Sequence, residues 1–147
     1  MNQKNYPQQL RITSICYFVL AAAEVLVLAL SLSDLFTPEN VAAAGGSMEV
    51  LKIIAYIAIA LSAIKVIIEV ILGAVGLKQA GGAKVGRGHI TLAMVFAVFA
   101  IINLVPDVIG VFNGTVSVAD ICPGLGGLTI LFWYVAAAKA MYAEQAR

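Results

Sequence analysis

Residues that build metal sites and many enzyme active sites are scarce in this 147-residue chain. The sequence has one histidine, His89, and two cysteines, Cys16 and Cys122, far apart from each other. A bis-histidine haem needs two histidines, and zinc sites need histidine, cysteine or carboxylate clusters at short spacings that are missing here. A serine–histidine pair deep in a membrane is excluded as well, because His89 lies at the edge of an apolar segment. We therefore predict a non-enzymatic protein without a cofactor or a metal.

Charged residues are scarce too, at 12% of the chain, whereas hydrophobic residues make up 62%. With a mean hydropathy of +1.00, this balance lies far outside the range of soluble globular proteins. A helix needs ~20 apolar residues to cross the hydrocarbon of a membrane, and four segments meet that requirement. We predict an all-α, integral membrane four-helix bundle that forms a single transmembrane domain over residues 1–147. Its helices are predicted at about Ile12–Leu32, Val50–Leu77, Ile90–Phe112 and Ile121–Ala140.

The few basic residues are unevenly distributed among the connections between the apolar segments. Loops rich in lysine and arginine stay in the cytoplasm, so we predict a multi-pass protein of the plasma membrane with both termini cytoplasmic. The net charge of only +1 predicts no nucleic-acid partner. The inner basic residues would be Lys4, Arg11, Lys78, Lys84, Arg87, Lys139 and Arg147, with Lys52 alone outside.

Capping signals predict where three helices begin. Thr37 can cap a helix, Pro38 suits a first helical position, and Glu39 favours a helix N-terminus. These residues predict a short surface helix on the outer side, between the first two membrane helices. Ser47 is the predicted cap of the second membrane helix and Asp120 that of the fourth.

The loop Lys78–Gly88 between the second and third segments is rich in glycine and basic residues. It lacks the spacing and the preceding strand of a phosphate-binding loop. We expect instead a flexible basic turn close to anionic lipid headgroups.

Ionisable residues inside the apolar segments are the main indication of function. They are Glu24, Lys65 with Glu69, and Asp107, which follows Asn103 by one helical turn. Each charged group costs roughly 2.5–3.5 kcal/mol to place in hydrocarbon on insertion scales. These groups must therefore pair, face a wet cavity, or lose their charge.

Two hypotheses account for the cluster around Lys65. At about 1.5 Å per residue, Glu24 and Lys65 lie near the middle of their helices, so an ion pair between them can fix the register of the two helices. Glu69 lies one turn from Lys65 and can share it. Two acids around one base leave one acid free to titrate, and this favours a protonatable transport site as the second hypothesis.

Glycines mark the faces on which helices can approach closely. Gly73 and Gly76 continue a stripe of small and polar residues on the second membrane helix. Gly124 and Gly127 share a face at the start of the fourth. Small residues let helix backbones come close together, so we predict that these four glycines pack against a neighbouring helix or another protomer.

Two resemblances add to this reading. Ala23-Glu24-Val25-Leu26 is similar to the membrane-embedded glutamate motif of small multidrug-resistance transporters, which lack a lysine like Lys65. The run Gly73-Ala74-Val75-Gly76-Leu77-Lys78-Gln79-Ala80, followed by a basic loop, resembles small uncharacterised four-helix membrane proteins of Gram-positive bacteria. That second resemblance implies a bacterial plasma membrane and no assigned activity.

Three functions follow as hypotheses. The first is a tetraspan accessory, scaffold or interaction subunit, whose partners would be the lipid bilayer, further copies of itself or a larger membrane protein. The second is a proton- or cation-coupled small-molecule transporter or channel that uses a buried Glu24. The third is a membrane protein that binds lipids or other amphiphiles.

Overall fold

A computed structural model describes residues 5–43, 45 and 47–146 of the chain. Lys4 and Arg147, two of the basic residues that predict the orientation, lie outside the described residues. Within that part the structure contains helices and turns and no strand. The helices are α1 (Tyr6–Leu35), α2 (Pro38–Ala43), α3 (Met48–Ala80), α4 (Gly88–Phe112) and α5 (Val118–Gln145).

Four of these helices, α1, α3, α4 and α5, are long and apolar enough to cross a membrane. They include all four predicted segments, and their large apolar side chains are mostly exposed. Apolar exposure on this scale suits a lipid solvent rather than water. The chain is therefore an all-helical, multi-pass membrane protein.

The helices are longer than the apolar segments that predicted them. α1 begins at Tyr6 rather than Ile12, and α5 ends at Gln145 rather than Ala140. The hydropathy limits mark where apolar side chains stop, whereas backbone hydrogen bonds continue through the polar residues beyond.

The start of α3 and the short helix α2 follow the capping signals. The Ser47 hydroxyl accepts a hydrogen bond from the Val50 amide at 3.4 Å, and Glu49 lies in the first turn of α3. α2 begins at Pro38 and has no buried residue. The side of the membrane on which α2 lies stays a prediction.

The start of α5 differs from the prediction that Asp120 caps it. The N-cap is Ser117, whose hydroxyl accepts a hydrogen bond from the Ala119 amide at 3.2 Å. Asp120 is the third helical residue, and its Oδ2 accepts from the Ser117 amide at 3.1 Å. This reciprocal pair is a capping box. Pro123 consequently lies in the second turn, where it cannot donate a hydrogen bond to the carbonyl of Ala119.

Glycine ends α3 and α4 by the same motif. After α3, Gly82 has φ of +90°, and the amide of Ala83 donates to the carbonyl of Lys78 at 3.1 Å. After α4, Gly114 has φ of +71°, and the amide of Thr115 donates to the carbonyl of Gly110 at 2.8 Å. Both are Schellman ends, in which glycine takes a left-handed conformation at little cost.

The chain divides into two compact units, which are described separately. Unit 1 comprises Met1–Cys16 and Leu72–Arg147, and unit 2 comprises Tyr17–Ile71. Unit 1 therefore holds α4, α5 and one end each of α1 and α3. Unit 2 holds α2 and the remainder of α1 and α3. The single domain over residues 1–147 stays a prediction.

Close packing in unit 1 centres on Gly76. A methyl group at Gly76 would overlap the Oγ of Ser14 and lie 2.6 Å from Cε2 of Tyr134. The hydroxyl of Tyr134 donates a hydrogen bond to the carbonyl of Leu72 at 2.9 Å. α1, α3 and α5 therefore meet at this point of unit 1. Further buried residues of the unit are Leu10, Thr13, Ile90, Ala93, Leu131, Ala137 and Ala138.

Candidate functional site

The candidate site is a cluster of charged and polar side chains in unit 2, supplied by α1 and α3. The Nζ of Lys65 lies 2.5 Å from Oε2 of Glu24 and forms an ion pair with it. The hydroxyl of Ser62 donates to Oε1 of Glu24 at 3.2 Å. Ser62 and Lys65 are three residues apart and thus share a face of α3. Together they engage both carboxylate oxygens of Glu24.

The ion pair lies at the surface of the chain. The Lys65 side chain is 45% exposed and that of Glu24 is 23% exposed. Without another element over it, this face would meet lipid at the middle of two spans. Pairing reduces the cost of placing the charges there, and an additional partner or trapped water would reduce it further.

Glu69 lies one helical turn after Lys65 and is in a different situation. Only 3% of Glu69 is exposed. Its Oε2 has no hydrogen-bond partner among the described residues. The cluster therefore contains two acids and one base, and the base is engaged by Glu24. We refer to Glu24, Ser62, Lys65 and Glu69 as the charged cluster.

The other two predicted polar residues, Asn103 and Asp107, belong to unit 1. Both are exposed on α4, and they are four residues apart on one face. The structure shows no ion pair for Asp107 within the described part of the chain. These two residues thus form a separate polar strip inside an otherwise apolar span.

The four glycines that were predicted to pack closely differ in how near their neighbours lie. Gly73 is buried, and Gly76 makes the close contact described above. A methyl group at Gly124 would lie 2.8 Å from Cδ1 of Leu104, so this glycine brings α5 close to α4. A methyl group at Gly127 would meet nothing within 4 Å. Packing of Gly127 against another protomer stays a prediction.

A second polar centre, in unit 1, was not predicted from the sequence. Gln79 is fully buried, and its Nε2 donates to the carbonyl of Ala138 at 3.1 Å. The Oε1 of Gln79 lies 3.0 Å from Nε2 of His89, and the carbonyl oxygen of Gly86 lies 2.8 Å from Nδ1 of His89. Both oxygens are acceptors, so a neutral imidazole, which has one N–H, donates to one of them. The glutamine within an otherwise small and apolar helix end was the available signal. This centre joins the adjacent ends of α3, α4 and α5.

The basic loop packs against the end of α5. The amide of the Gln145 side chain donates to the carbonyl of Ala83 at 3.1 Å. The guanidinium of Arg87 lies 5.8 Å from the centre of the Tyr142 ring, within cation–π range. A cavity of about 190 Å³ opens beside them, and it is lined by Lys84, Val85, Tyr142, Gln145 and Ala146.

Two observations limit the chemistry available elsewhere. Cys16 and Cys122 are free thiols. Among residues 5–43, 45 and 47–146, no three histidine, cysteine or carboxylate side chains form a group that could hold a metal ion.

Comparison with known proteins gives no indication of function. No protein-family model, curated protein or solved structure matches the chain. The likenesses to small multidrug-resistance transporters and to four-helix bacterial membrane proteins stay resemblances.

Proposed function

We propose that this chain is a non-enzymatic tetraspan protein of the plasma membrane that acts as an accessory, scaffold or interaction subunit. The observation that carries the proposal is the engagement of both Glu24 oxygens by Lys65 and Ser62. A carboxylate held in this way serves as a fixed link between α1 and α3. Each oxygen of Glu24 then has a donor within the chain.

The exposed polar groups in the spans support a protein partner. Lys65 is exposed in unit 2, and Asn103 and Asp107 are exposed in unit 1. Polar side chains in membrane helices face protein or a wet cavity far more often than lipid tails. A larger membrane protein or further copies of this chain would cover them and satisfy their hydrogen bonds.

The proposed orientation has both termini in the cytoplasm. Lys78 lies in the last turn of α3, and Lys84 and Arg87 follow in the loop before α4. The acidic residues Glu49 and Asp120 lie in the first turns of α3 and α5, and Glu39 lies in α2. This asymmetry supports an inner position for the basic loop.

The first test is native mass spectrometry of the protein released gently from its own membrane. We expect either a stoichiometric foreign membrane protein or a defined homo-oligomer. Asn103→Leu should weaken that complex, because it removes an exposed polar contact from α4. Val98→Leu is the matched control, since Val98 is exposed on the same helix and already apolar. A monomer that moves a solute unaided would contradict the proposal.

A second candidate is proton- or cation-coupled transport of a small molecule. The observation that favours it is the second acid, Glu69, because Lys65 balances only one of the two carboxylates. Reconstitution into proteoliposomes tests it, with flux measured in wild type and in Glu24→Gln. Glu39→Gln is the control, because Glu39 lies on the exposed helix α2. If Glu24→Gln transports the solute at the wild-type rate, Glu24 is not part of the transport pathway.

A further inference from the structure

The two acids of the charged cluster differ in how their carboxyl groups are partnered. Both oxygens of Glu24 have donors, at 2.5 Å from Lys65 and 3.2 Å from Ser62. Glu69 is far more buried, with 3% of its surface exposed. Its Oε2 has no hydrogen-bond partner among the described residues. Glu69 is therefore the acid whose charge is not compensated by contact.

The charges around Glu69 also leave its carboxyl group without a compensating positive charge. Lys65 lies one turn before Glu69 on α3 and forms an ion pair with Glu24. Because the positive charge of Lys65 already balances Glu24, an ionised Glu69 would leave one uncompensated negative charge in the cluster. Burying an unpaired carboxylate costs far more than burying a neutral carboxylic acid, so such groups take up a proton instead.

We propose that Glu69 holds a proton in the folded protein, as a neutral carboxylic acid, and that an apolar carbodiimide modifies it. The proposal goes beyond both candidate functions, because it depends only on the burial and partners of Glu69. A failed partner or flux test would leave it standing. Within the transport candidate it would assign the proton to Glu69 rather than to Glu24.

The modification needs a protonated acid and an apolar setting. The acid gives its proton to one nitrogen of the carbodiimide, and the carboxylate oxygen forms a bond to the central carbon. The acyl group then moves from that oxygen to the second nitrogen, so a C–O bond breaks, a C–N bond forms and no atom is lost. Both oxygens of Glu24 are instead engaged by Lys65 and Ser62. Acids in water, such as Glu39, lose the activated intermediate to hydrolysis.

The first experiment treats the full-length protein in micelles with dicyclohexylcarbodiimide and maps the product by intact mass and peptide mass spectrometry. Asp107, which is exposed in the span of α4, is changed to asparagine in every protein tested, and we then expect one added reagent per chain, on Glu69. The label should be lost in Glu69→Gln, weakened in Glu24→Gln, which frees Lys65 to pair with Glu69, and kept in the exposed control Glu39→Gln. Labelling on Glu24, or wild-type protein left unlabelled at Glu69, would overturn the assignment of the modification site.

The second experiment measures the proton itself by infrared spectroscopy at neutral pH. A protonated carboxylic acid has a carbonyl stretching band that a carboxylate lacks. We expect this band in wild type and in Glu39→Gln, and a weaker band in Glu24→Gln, because Lys65 is then free to pair with Glu69. Glu69→Asp is the variant to measure if Glu69→Gln fails to fold, because it keeps a carboxyl group at this position. We expect Glu69→Asp to shift the frequency of the band. A wild-type spectrum without the band, or a band unmoved by Glu69→Asp, would overturn the proton assignment.

Discussion

Gln79 and His89 hydrogen-bond to each other across the turn that joins α3 to α4, with 3.0 Å between Oε1 of Gln79 and Nε2 of His89. Gln79 also donates to the carbonyl of Ala138 on α5. One fully buried side chain therefore connects three helices of unit 1. A buried polar group that is hydrogen-bonded to its neighbours favours one arrangement of the helices around it.

Gln79→Leu should destabilise unit 1. The substitution removes the second donor to the carbonyl of Ala138 and leaves a buried ring nitrogen of His89 without its partner, and a buried unsatisfied group costs about 1–3 kcal/mol. Thermal unfolding in detergent measures the effect. Gln8→Leu is the control, because Gln8 is exposed near the start of α1. Equal melting temperatures for the two variants would show that the Gln79 contacts contribute little.

Gly76→Ala and Gly127→Ala should have opposite effects on stability. The new methyl group at position 76 would overlap Ser14 and press on Tyr134, and overpacking of this kind typically costs about 1–3 kcal/mol. At position 127 it meets nothing within 4 Å, so the higher helix propensity of alanine should stabilise by up to about 1 kcal/mol. Thermal unfolding of both variants distinguishes them. A destabilised Gly127→Ala would place that glycine in a protomer contact.

The ion pair should show coupling in a double-mutant cycle of Glu24→Gln and Lys65→Met. Each single change leaves a charge without its partner, whereas the double variant removes both charges, so the double should lose less than the sum of the singles. An exposed pair in water is worth about 0.2–1 kcal/mol, and a membrane environment should raise the value. Unfolding in lipid nanodiscs and in detergent gives the comparison. Additive effects in both media would exclude a structural role for the pair.

A cysteine at position 84 tests the orientation. In a background with Cys16 and Cys122 changed to alanine, Lys84→Cys should resist a membrane-impermeant thiol reagent applied to intact cells. Asn113→Cys, in the turn between α4 and α5, should react. Permeabilised cells provide the control for reactivity at both positions. Reaction at position 84 from outside would reverse the proposed topology.

The basic loop should retain anionic lipid. Lys84 lines the cavity beside Tyr142, and Arg87 lies against the same ring. Each basic residue near a charged membrane surface contributes about 1 kcal/mol. The double change Lys84→Gln and Arg87→Gln should lower the amount of phosphatidylglycerol retained in native mass spectra relative to phosphatidylcholine. Lys52→Gln, at the other end of α3, should leave the ratio unchanged, and an equal fall there would argue against a local effect.

Several elements were predictable because their causes are local. The four spans follow from uninterrupted apolar sequence, and the start of α3 follows from Ser47. The start of α5 was misplaced because both Ser117 and Asp120 are good caps. Only the backbone shows that Ser117 precedes the first helical turn while Asp120 lies inside it. Helix ends beyond the apolar limits were missed for a similar reason, since polar residues outside the hydrocarbon carry no hydropathy signal.

The residues of the candidate site could be predicted from the sequence, but the contacts between them could not. Helical spacing puts Ser62, Lys65 and Glu69 along one side of α3, and depth places Glu24 at a comparable height. The spacing does not say which acid Lys65 binds, because an i,i+4 pair with Glu69 and an interhelical pair with Glu24 are both sterically possible. The rotation of α1 about its axis decides between them, and that rotation depends on packing.

The sequence by itself determined that this chain resides in a membrane, how many times it can cross, and which few ionisable residues the hydrocarbon must accommodate. These properties depend only on which residues follow one another along the chain, so they can be predicted without knowing which helices pack together. Only the tertiary structure decided that Glu24 is engaged by Lys65 and Ser62, that Glu69 is buried with an unpartnered oxygen, and that Gln79 joins three helices. The reason is physical: pairing and burial depend on which helix faces meet, and many different packings are compatible with the same apolar pattern.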